Sequence, residues 1–271
     1  MNAALGEVVR VMGGAHGRDI TPYDEAFLEK SIERRLAATG HGAVTAYAGY
    51  LSDDGTEAEI LLRTLNITFS EFFRSPLTFS LLEQVILPSL AAKMGIARRA
   101  EMRVWSAACG AGQEAYSIAI LLDELAASGR IFATDRSGDE IAAAQEGVYD
   151  YASVHKVRLK HMRNYFTQAK ESYAIAATLR GRVDFSVYDL LDEFSVTPPP
   201  SIYGEFDLVL CSNMLFYYRP EVRRRILTKA WNSLRPGGYL VAGEAEREIV
   251  AGHEGFRAAF PLFPVFRKTG L

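Results

Sequence analysis

The chain has 271 residues, is 49% apolar and 23% charged, and carries a net charge of −3. That is the make-up of an ordinary globular protein of one large or two smaller domains, and it argues against a generally basic nucleic-acid binder. No apolar run approaches the roughly 20 residues that cross a bilayer, no cationic-then-apolar leader surrounds Glu7 and Arg10, and Cys109 and Cys211 form neither a disulfide framework nor a zinc constellation. The expectation is a cytoplasmic protein with no membrane insertion and no metal.

Residues 1–20 hold few apolar anchors and read as a loose tail or short helix. Thr21-Pro22 looks like an N-cap followed by proline at the first helical position, with Asp24 and Glu25 in the first turn. The helix runs to about Thr39, where Gly40 ends it, with Phe27, Leu28, Ile32 and Leu36 as its apolar stripe. Lys30, Arg34 and Arg35 fall elsewhere on its surface. Helices around Val44–Leu51 and 57–66 complete a small all-helical unit, residues 1–66. The stretch Asn66–Arg74, NITFSEFFR, breaks the pattern and reads as an ordered connector. Helix returns over 77–94, with a kink at Pro88.

Arg103 to Leu125, RVWSAACGAGQEAYSIAILLDEL, carries the strongest signal. A strand (Val104 to Ser106) feeds a small-residue loop (Ala107 to Gly112) and then a helix of about three turns. Such a unit opens a doubly wound α/β fold, whose ligand crevice lies at the carboxyl ends of the strands. Ile131–Asp135 is a second strand ending in an acid, followed by a helix over 137–146. Short alternating runs within 160–185 predict an inserted antiparallel subdomain. Val183–Tyr188, Phe206–Cys211 and Tyr239–Gly243 are further strands, Arg235–Gly238 a turn, and 220–234 an amphipathic helix. The terminal FPVFRK reads as an edge strand.

Gly110 and Gly112 begin a G-x-G-x-x-A pattern. Glycine permits a sharp turn and close approach of a ligand, and the free N–H groups of the next helix face the same loop. Asp135, 23 positions after Gly112, stands where an acid accepts hydrogen bonds from ribose hydroxyls. A nucleoside cofactor follows. Glu114 in the first helical turn would repel a pyrophosphate but suits a sulfonium or ammonium group, which favours S-adenosylmethionine over NAD without excluding the latter. Asp189, Ser212, Asn213 and Tyr217 lie just past later strand ends. Cys109 and Cys211 read as small buried residues.

In order along the chain, TFSEFFR, VWSAACGAGQEAYSIAI, FATD with GVYD, FDLVLCSNMLFYY, LRPGGYLVAGEAE and the final FRK, together with SIERRL at 31–36, resemble the CheR family of chemoreceptor glutamate methyltransferases. The resemblance spans nearly the whole chain. It implies an N-terminal helical domain (1–66) and a Rossmann-like class I methyltransferase domain (67–271) with an antiparallel β-subdomain at about 160–185. It further implies that Thr68, Ser70 and Arg74 reach over the cofactor and that Glu114 meets its methionine part and Asp135 its ribose. Asp189-Leu190 and Ser212-Asn213 would line the adenine and the centre of the site. Arg74 and Tyr217 would stand nearest the transferring methyl group. The implied product pair is a glutamate γ-methyl ester and S-adenosylhomocysteine. The implied partner is a chemoreceptor helical bundle, met through Lys30, Arg34, Arg35 and the β-subdomain; a monomer is expected separately, because the sequence shows no obvious coiled coil or second apolar face.

The sequence departs from the family pattern at Thr68 (commonly Asn), Cys109-Gly110-Ala111 (commonly small-Ser-Thr), Ser212 (commonly Arg) and Glu244-Ala245 (commonly His-Ser). These departures bear on affinity and substrate more than on reaction class. Three further readings stand beside the first: a CheR-like module that binds the cofactor and docks without turnover, a methyltransferase for another acidic substrate, and a dehydrogenase using NAD.

Overall fold

A computed structural model describes residues 3–66, 70–97, 101–201 and 203–270. Its internal contacts divide the chain into two units: Met1–Ile67 with Phe216–Arg223, and Thr68–Leu215 with Arg224–Leu271.

The first unit packs helices α1 (Ala3–His16), α2 (Glu25–Thr39), α3 (Val44–Asp53) and α4 (Gly55–Leu65) around Leu5, Val8, Met12, Leu28, Ile32, Tyr47, Leu51 and Leu61, all nearly solvent-free. Residues 3–16 are thus a regular helix rather than a loose tail, because Leu5, Val8, Val9 and Met12 give it a buried stripe. The N-cap of α2 is Asp24, whose side chain accepts the Ala26 N–H, and not Thr21; Thr21 instead hydrogen-bonds Asp19. Gly40, left-handed at φ +74°, closes α2 as expected. Tyr23 bridges to Tyr218 in the returning segment and stacks on its ring at 5.3 Å.

Arg35 departs from the expected solvated face. Its guanidinium grips Glu57 through two bonds of 2.8 and 2.7 Å, and the Tyr47 hydroxyl donates to the same carboxylate at 2.6 Å. Glu57 is 2% exposed. Burial alone would raise its pKa, but the Arg35 and Tyr47 bonds outweigh that and hold it below the usual glutamate range. Lys30 and Arg34 do remain exposed.

The second unit opens with α5 (Pro76–Leu81), a π-helical turn over Leu82–Ile86, and α6 (Leu87–Ala97). The disturbance expected at Pro88 lies in the turn before it: the Leu87 N–H reaches five residues back to Leu82, a widened turn that eases the proline ring into the helix. The continuous span Pro76–Ala97 has 22 residues and a mean hydropathy of 1.2, a length and composition compatible with a membrane that the sequence reading did not register. Its Leu82, Ile86, Leu87, Leu90 and Met94 are packed into the core.

There follow β1 (Met102–Ala107), α7 (Gln113–Glu124), β2 (Gly129–Asp135), α8 (Gly138–Glu146), β3 (Val148–Tyr149), α9 (Tyr151–Val154) and α10 (Leu159–Tyr165). Then come β4 (Phe166–Ala169), β5 (Ser172–Ile175), α11 (Ala177–Arg180), β6 (Val183–Val187), β7 (Phe206–Cys211), α12 (Pro220–Ser233), β8 (Leu234–Ala242), α13 (Arg247–Ala251), β9 (Phe256–Ala258) and β10 (Val265–Lys268). Among the described residues the main sheet has seven strands in the order β6-β2-β1-β7-β8-β10-β9. The first five are parallel, β10 runs antiparallel to β8, and β9 pairs antiparallel to β10. The order reverses between β1 and β7, which is the switch point of a doubly wound sheet. A small antiparallel sheet, β3-β5-β4, occupies residues 148–175, while β6 joins the main sheet.

Two strand expectations are corrected. The C-terminal strand is not an edge, because β9 pairs on its outer side. The Arg235–Gly238 turn lies inside β8 as an irregularity, since pairing with β7 jumps from Phe206↔Leu234 to Leu208↔Tyr239. Gly237, at φ +72°, makes that loop-out possible.

Candidate active site

The crevice is built where β1, β2, β6, β7 and β8 end. The loop after β1 bends through three left-handed residues, Ala108, Gly110 and Gly112. Gly112 is required twice over: its φ is +88°, and a Cβ would sit 3.0 Å from the Ala144 methyl and the Phe185 ring. The next strand pins the loop, since the Cys109 N–H reaches the Thr134 carbonyl at 2.8 Å and the Gly110 N–H reaches Asp135 Oδ2 at 2.9 Å. From the small sheet, the Tyr149 hydroxyl donates to the Ala111 carbonyl at 2.8 Å. Asp135 therefore does structural work as well: its Oδ1 also accepts the Ser137 N–H.

Glu114 points across this loop. The Ser106 hydroxyl donates to its Oε1 at 2.7 Å, and the nearby Ser212 hydroxyl also favours its charged form. Burial pushes its carboxyl up to about 7; the two serine hydroxyls and the nearby Arg74 charge pull the other way, and Glu246 adds to the rise. Arg74, Ser106, Glu114, Ser212 and Glu246 therefore share one electrostatic neighbourhood.

Arg74 follows a connector that is fastened at each step. Glu71, 5% exposed, pairs with Lys156 at 2.6 Å. The Phe72 N–H donates to the Ser153 carbonyl, and its ring meets Tyr149 and Phe166 edge-on at 4.9 and 5.1 Å. Phe73, left-handed at φ +54°, donates its N–H to Ser117 Oγ on α7 and stacks on His161 at 5.2 Å. Ser70 is half-buried at the start of this stretch. Thr68 lies outside the described residues.

On the far side, Asp189 is exposed and caps the Leu191 N–H, while Leu190 is buried. Asn213 is left-handed at φ +63°. Glu246, fully buried, accepts N–H bonds from Gly243, Asn213 and Leu215 at 2.7, 2.8 and 2.6 Å. Burial raises its pKa against those bonds. It is the fastener that sequence reading missed. The nearby Glu244 and Ala245, noted as departures, are exposed. An acid three positions past the glycine that follows β8 was the only available signal. Tyr217 belongs to the first unit, where its ring lies 4.7 Å from Phe27. Cys109 and Cys211 are buried and burial pushes both thiols well up, in keeping with packing rather than nucleophilic roles. No group of metal-ligating side chains occurs among the described residues.

A family model for the SAM-binding domain of CheR methyltransferase matches residues 68–258. The chain belongs to the CheR methyltransferase family. Chemotaxis protein methyltransferase 1 of Pseudomonas aeruginosa is 34% identical over 198 residues, covering 69% of this chain and 69% of its own. The probable biofilm formation methyltransferase WspC of the same organism is 28% identical over 268 residues, 96% of this chain and 61% of its own. An uncharacterised 104.1 kDa protein of Rhodobacter capsulatus is 31% identical over 249 residues, 90% of this chain. The chain spans a quarter of that protein's length and about two thirds of the two Pseudomonas proteins.

The doubly wound sheet with its small antiparallel insertion is the class I fold that the CheR resemblance implied. S-adenosylmethionine is the cofactor, and the dehydrogenase reading falls away. The residues fit that ligand. Glu114 is a carboxylate whose charge a cationic group would restore. Beside it, Gln113 Oε1 is a buried acceptor with no partner among the described residues.

Proposed function

We propose that this CheR-family protein methylates glutamate side chains in the helical cytoplasmic region of a chemoreceptor, yielding the glutamate 5-O-methyl ester and S-adenosylhomocysteine. The observation that carries the reading is the convergence of Glu114 and the connector arginine Arg74 at the glycine-loop crevice of a chain whose relatives are named chemotaxis protein methyltransferases.

In this reading Gly110 and Gly112 let the backbone approach the cofactor, Glu114 faces its methionine part and Asp135 its ribose hydroxyls. Asp189, Leu190, Ser212 and Asn213 line the rest, with Thr68 and Ser70 above. Bound there, S-adenosylmethionine supplies a methyl group on a sulfonium, which a carboxylate oxygen takes up as an ester. No strong base is needed, because a glutamate with a reference pKa of about 4.3 is already ionised at neutral pH. The protein's task is alignment and partial removal of water from that carboxylate. Arg74 offers paired N–H donors that orient it, and Tyr217 keeps the second positioning role that the resemblance gives it. Lys30 and Arg34 remain the basic residues for the receptor helix, in a cytoplasmic, monomeric enzyme.

The deciding assay incubates the full chain with methyl-labelled S-adenosylmethionine and a receptor cytoplasmic fragment. Label released by mild base identifies a carboxyl ester. Base-stable label points to another acceptor, and binding of S-adenosylhomocysteine without any transfer leaves a docking module.

Two site predictions follow. With Glu114 pushed up to about 7, and with the ionised form the one that suits a cationic ligand, calorimetric affinity for S-adenosylhomocysteine should rise from pH 6 to pH 8 and then level off. Glu114→Gln should flatten that profile; an unchanged profile removes Glu114 from the cofactor site. Asp135→Ala removes the ribose acceptor and both backbone anchors, so affinity should fall by about tenfold to a hundredfold, the scale of charged hydrogen bonds. Wild-type affinity in this variant would overturn the assignment.

A further inference from the structure

A second cleft opens at the amino-terminal edge of the main sheet, opposite the cofactor crevice. It encloses about 240 Å³ between α6 and the starts of β7 and β8, with Lys93, Asp207, Arg235, Gly237 and Arg267 on its walls. The one acid there is already committed. Asp207 is 1% exposed, accepts Arg235 at 3.0 Å through Oδ1 and the Arg103 N–H at 3.0 Å through Oδ2.

Lys93 and Arg267 are exposed and have no acidic partner among the described residues; Lys93 lies 5.9 Å from the centre of the Tyr239 ring. Arg267 is held along the cleft by the β8 loop-out. A Cβ on Gly237 would fall 3.1 Å from the Arg267 guanidinium, so the glycine leaves room for it.

Independently, the β10–β9 register sets Arg267 directly opposite Arg257, which is also exposed and without an acidic partner among the described residues. Directly opposed residues share a face, and like charges in that position repel. The repulsion would be relieved by an anion held between them. In a chain of net charge −3, this is a local concentration of positive charge with a concave floor.

We propose that this cleft binds the phosphate groups of a small phosphorylated molecule. Guanidinium groups match phosphate oxygens in paired hydrogen bonds, and a neighbouring ammonium adds a point charge. The volume lies below the roughly 300 Å³ at which pockets for drug-sized ligands begin. A phosphate or diphosphate group fills it, with any attached organic part extending into solvent.

The test is calorimetric titration of the full chain, saturated with S-adenosylhomocysteine, with pyrophosphate in one arm and ADP in the other. Saturable binding that weakens with added salt is expected, and Arg267→Gln and Lys93→Gln should each weaken it about tenfold. Affinity for S-adenosylhomocysteine should stay at the wild-type value in both variants, which shows that they are folded. Tighter binding of ADP than of pyrophosphate identifies a nucleotide, and equal binding a free diphosphate. No saturable binding of either, or binding that both variants retain in full, overturns the proposal.

Discussion

Replacing Arg74 with alanine is expected to slow methyl transfer at saturating cofactor by about a hundredfold or more, the scale at which a positioned donor and an aligned nucleophile contribute. The side chain leaves a connector anchored by the Glu71–Lys156 pair, by the Phe72 ring and by the Phe73–Ser117 bond. It is therefore presented from a fixed base, and its loss has no flexible neighbour to compensate. A second effect has the opposite pH signature. The Arg74 charge lowers the Glu114 pKa; without it the carboxyl rises further, fewer molecules are ionised at pH 7, and cofactor affinity falls there but recovers toward pH 8.5. Transfer rate measured at pH 8.5 with saturating cofactor isolates the role in the reaction itself. Near-normal turnover under those conditions would remove Arg74 from the reacting centre. Arg74→Lys, which keeps the charge but loses the fork, should restore the affinity profile and only part of the rate.

Arg35→Ala should destabilise the protein by about 3–5 kcal/mol, the usual effect of stripping one partner from a buried ion pair. Glu57 would keep only the Tyr47 hydroxyl while remaining 2% exposed. The pair's contribution has a defined pH window. Glu57 is depressed in the folded chain, so its stabilisation is present above the ordinary glutamate pKa and disappears as pH falls through the lower folded value. Urea denaturation at pH 7 measures the loss. The double variant Arg35→Met with Glu57→Leu should recover much of it, since an apolar replacement removes both buried charges together. Single-variant stability within about 0.5 kcal/mol of wild type would contradict this. Lys30→Ala and Arg34→Ala, on the exposed face, should leave stability unchanged and act only on receptor methylation.

The contrast between Arg35 and its neighbours shows where sequence reading stops. A helix pattern separates apolar from polar positions, but it does not reveal that an arginine has a buried acid on another helix to grip. Glu246 escaped for the same reason: its three bonds are to backbone N–H groups, which carry no residue signature. The loop after β1 was legible because strand, glycines and helix are contiguous and their chemistry is local. So were Asp135 and Ser212, which sit at strand ends where parallel sheets collect their ligands. For residues 3–16 a loose tail and a short helix both stood open because Gly13 and Gly14 weaken the propensity, and the buried Leu5, Val8 and Met12 decide for the helix. Strand β10 looked like an edge because β9 is only three residues long.

The fastening of the connector also bears on how this protein could be recombined. Residues 70–74 precede the small antiparallel sheet by some eighty positions in the chain, yet Glu71, Phe72 and Phe73 are held by Lys156, Tyr149, Phe166 and His161. A chimera that imports another family member's insertion without its connector would bring a foreign set of partners to those three side chains. Arg74 would then start from a displaced base even though every crevice residue after β1, β2 and β7 were native. The exchangeable block is discontinuous: residues 70–74 and 148–175 travel together.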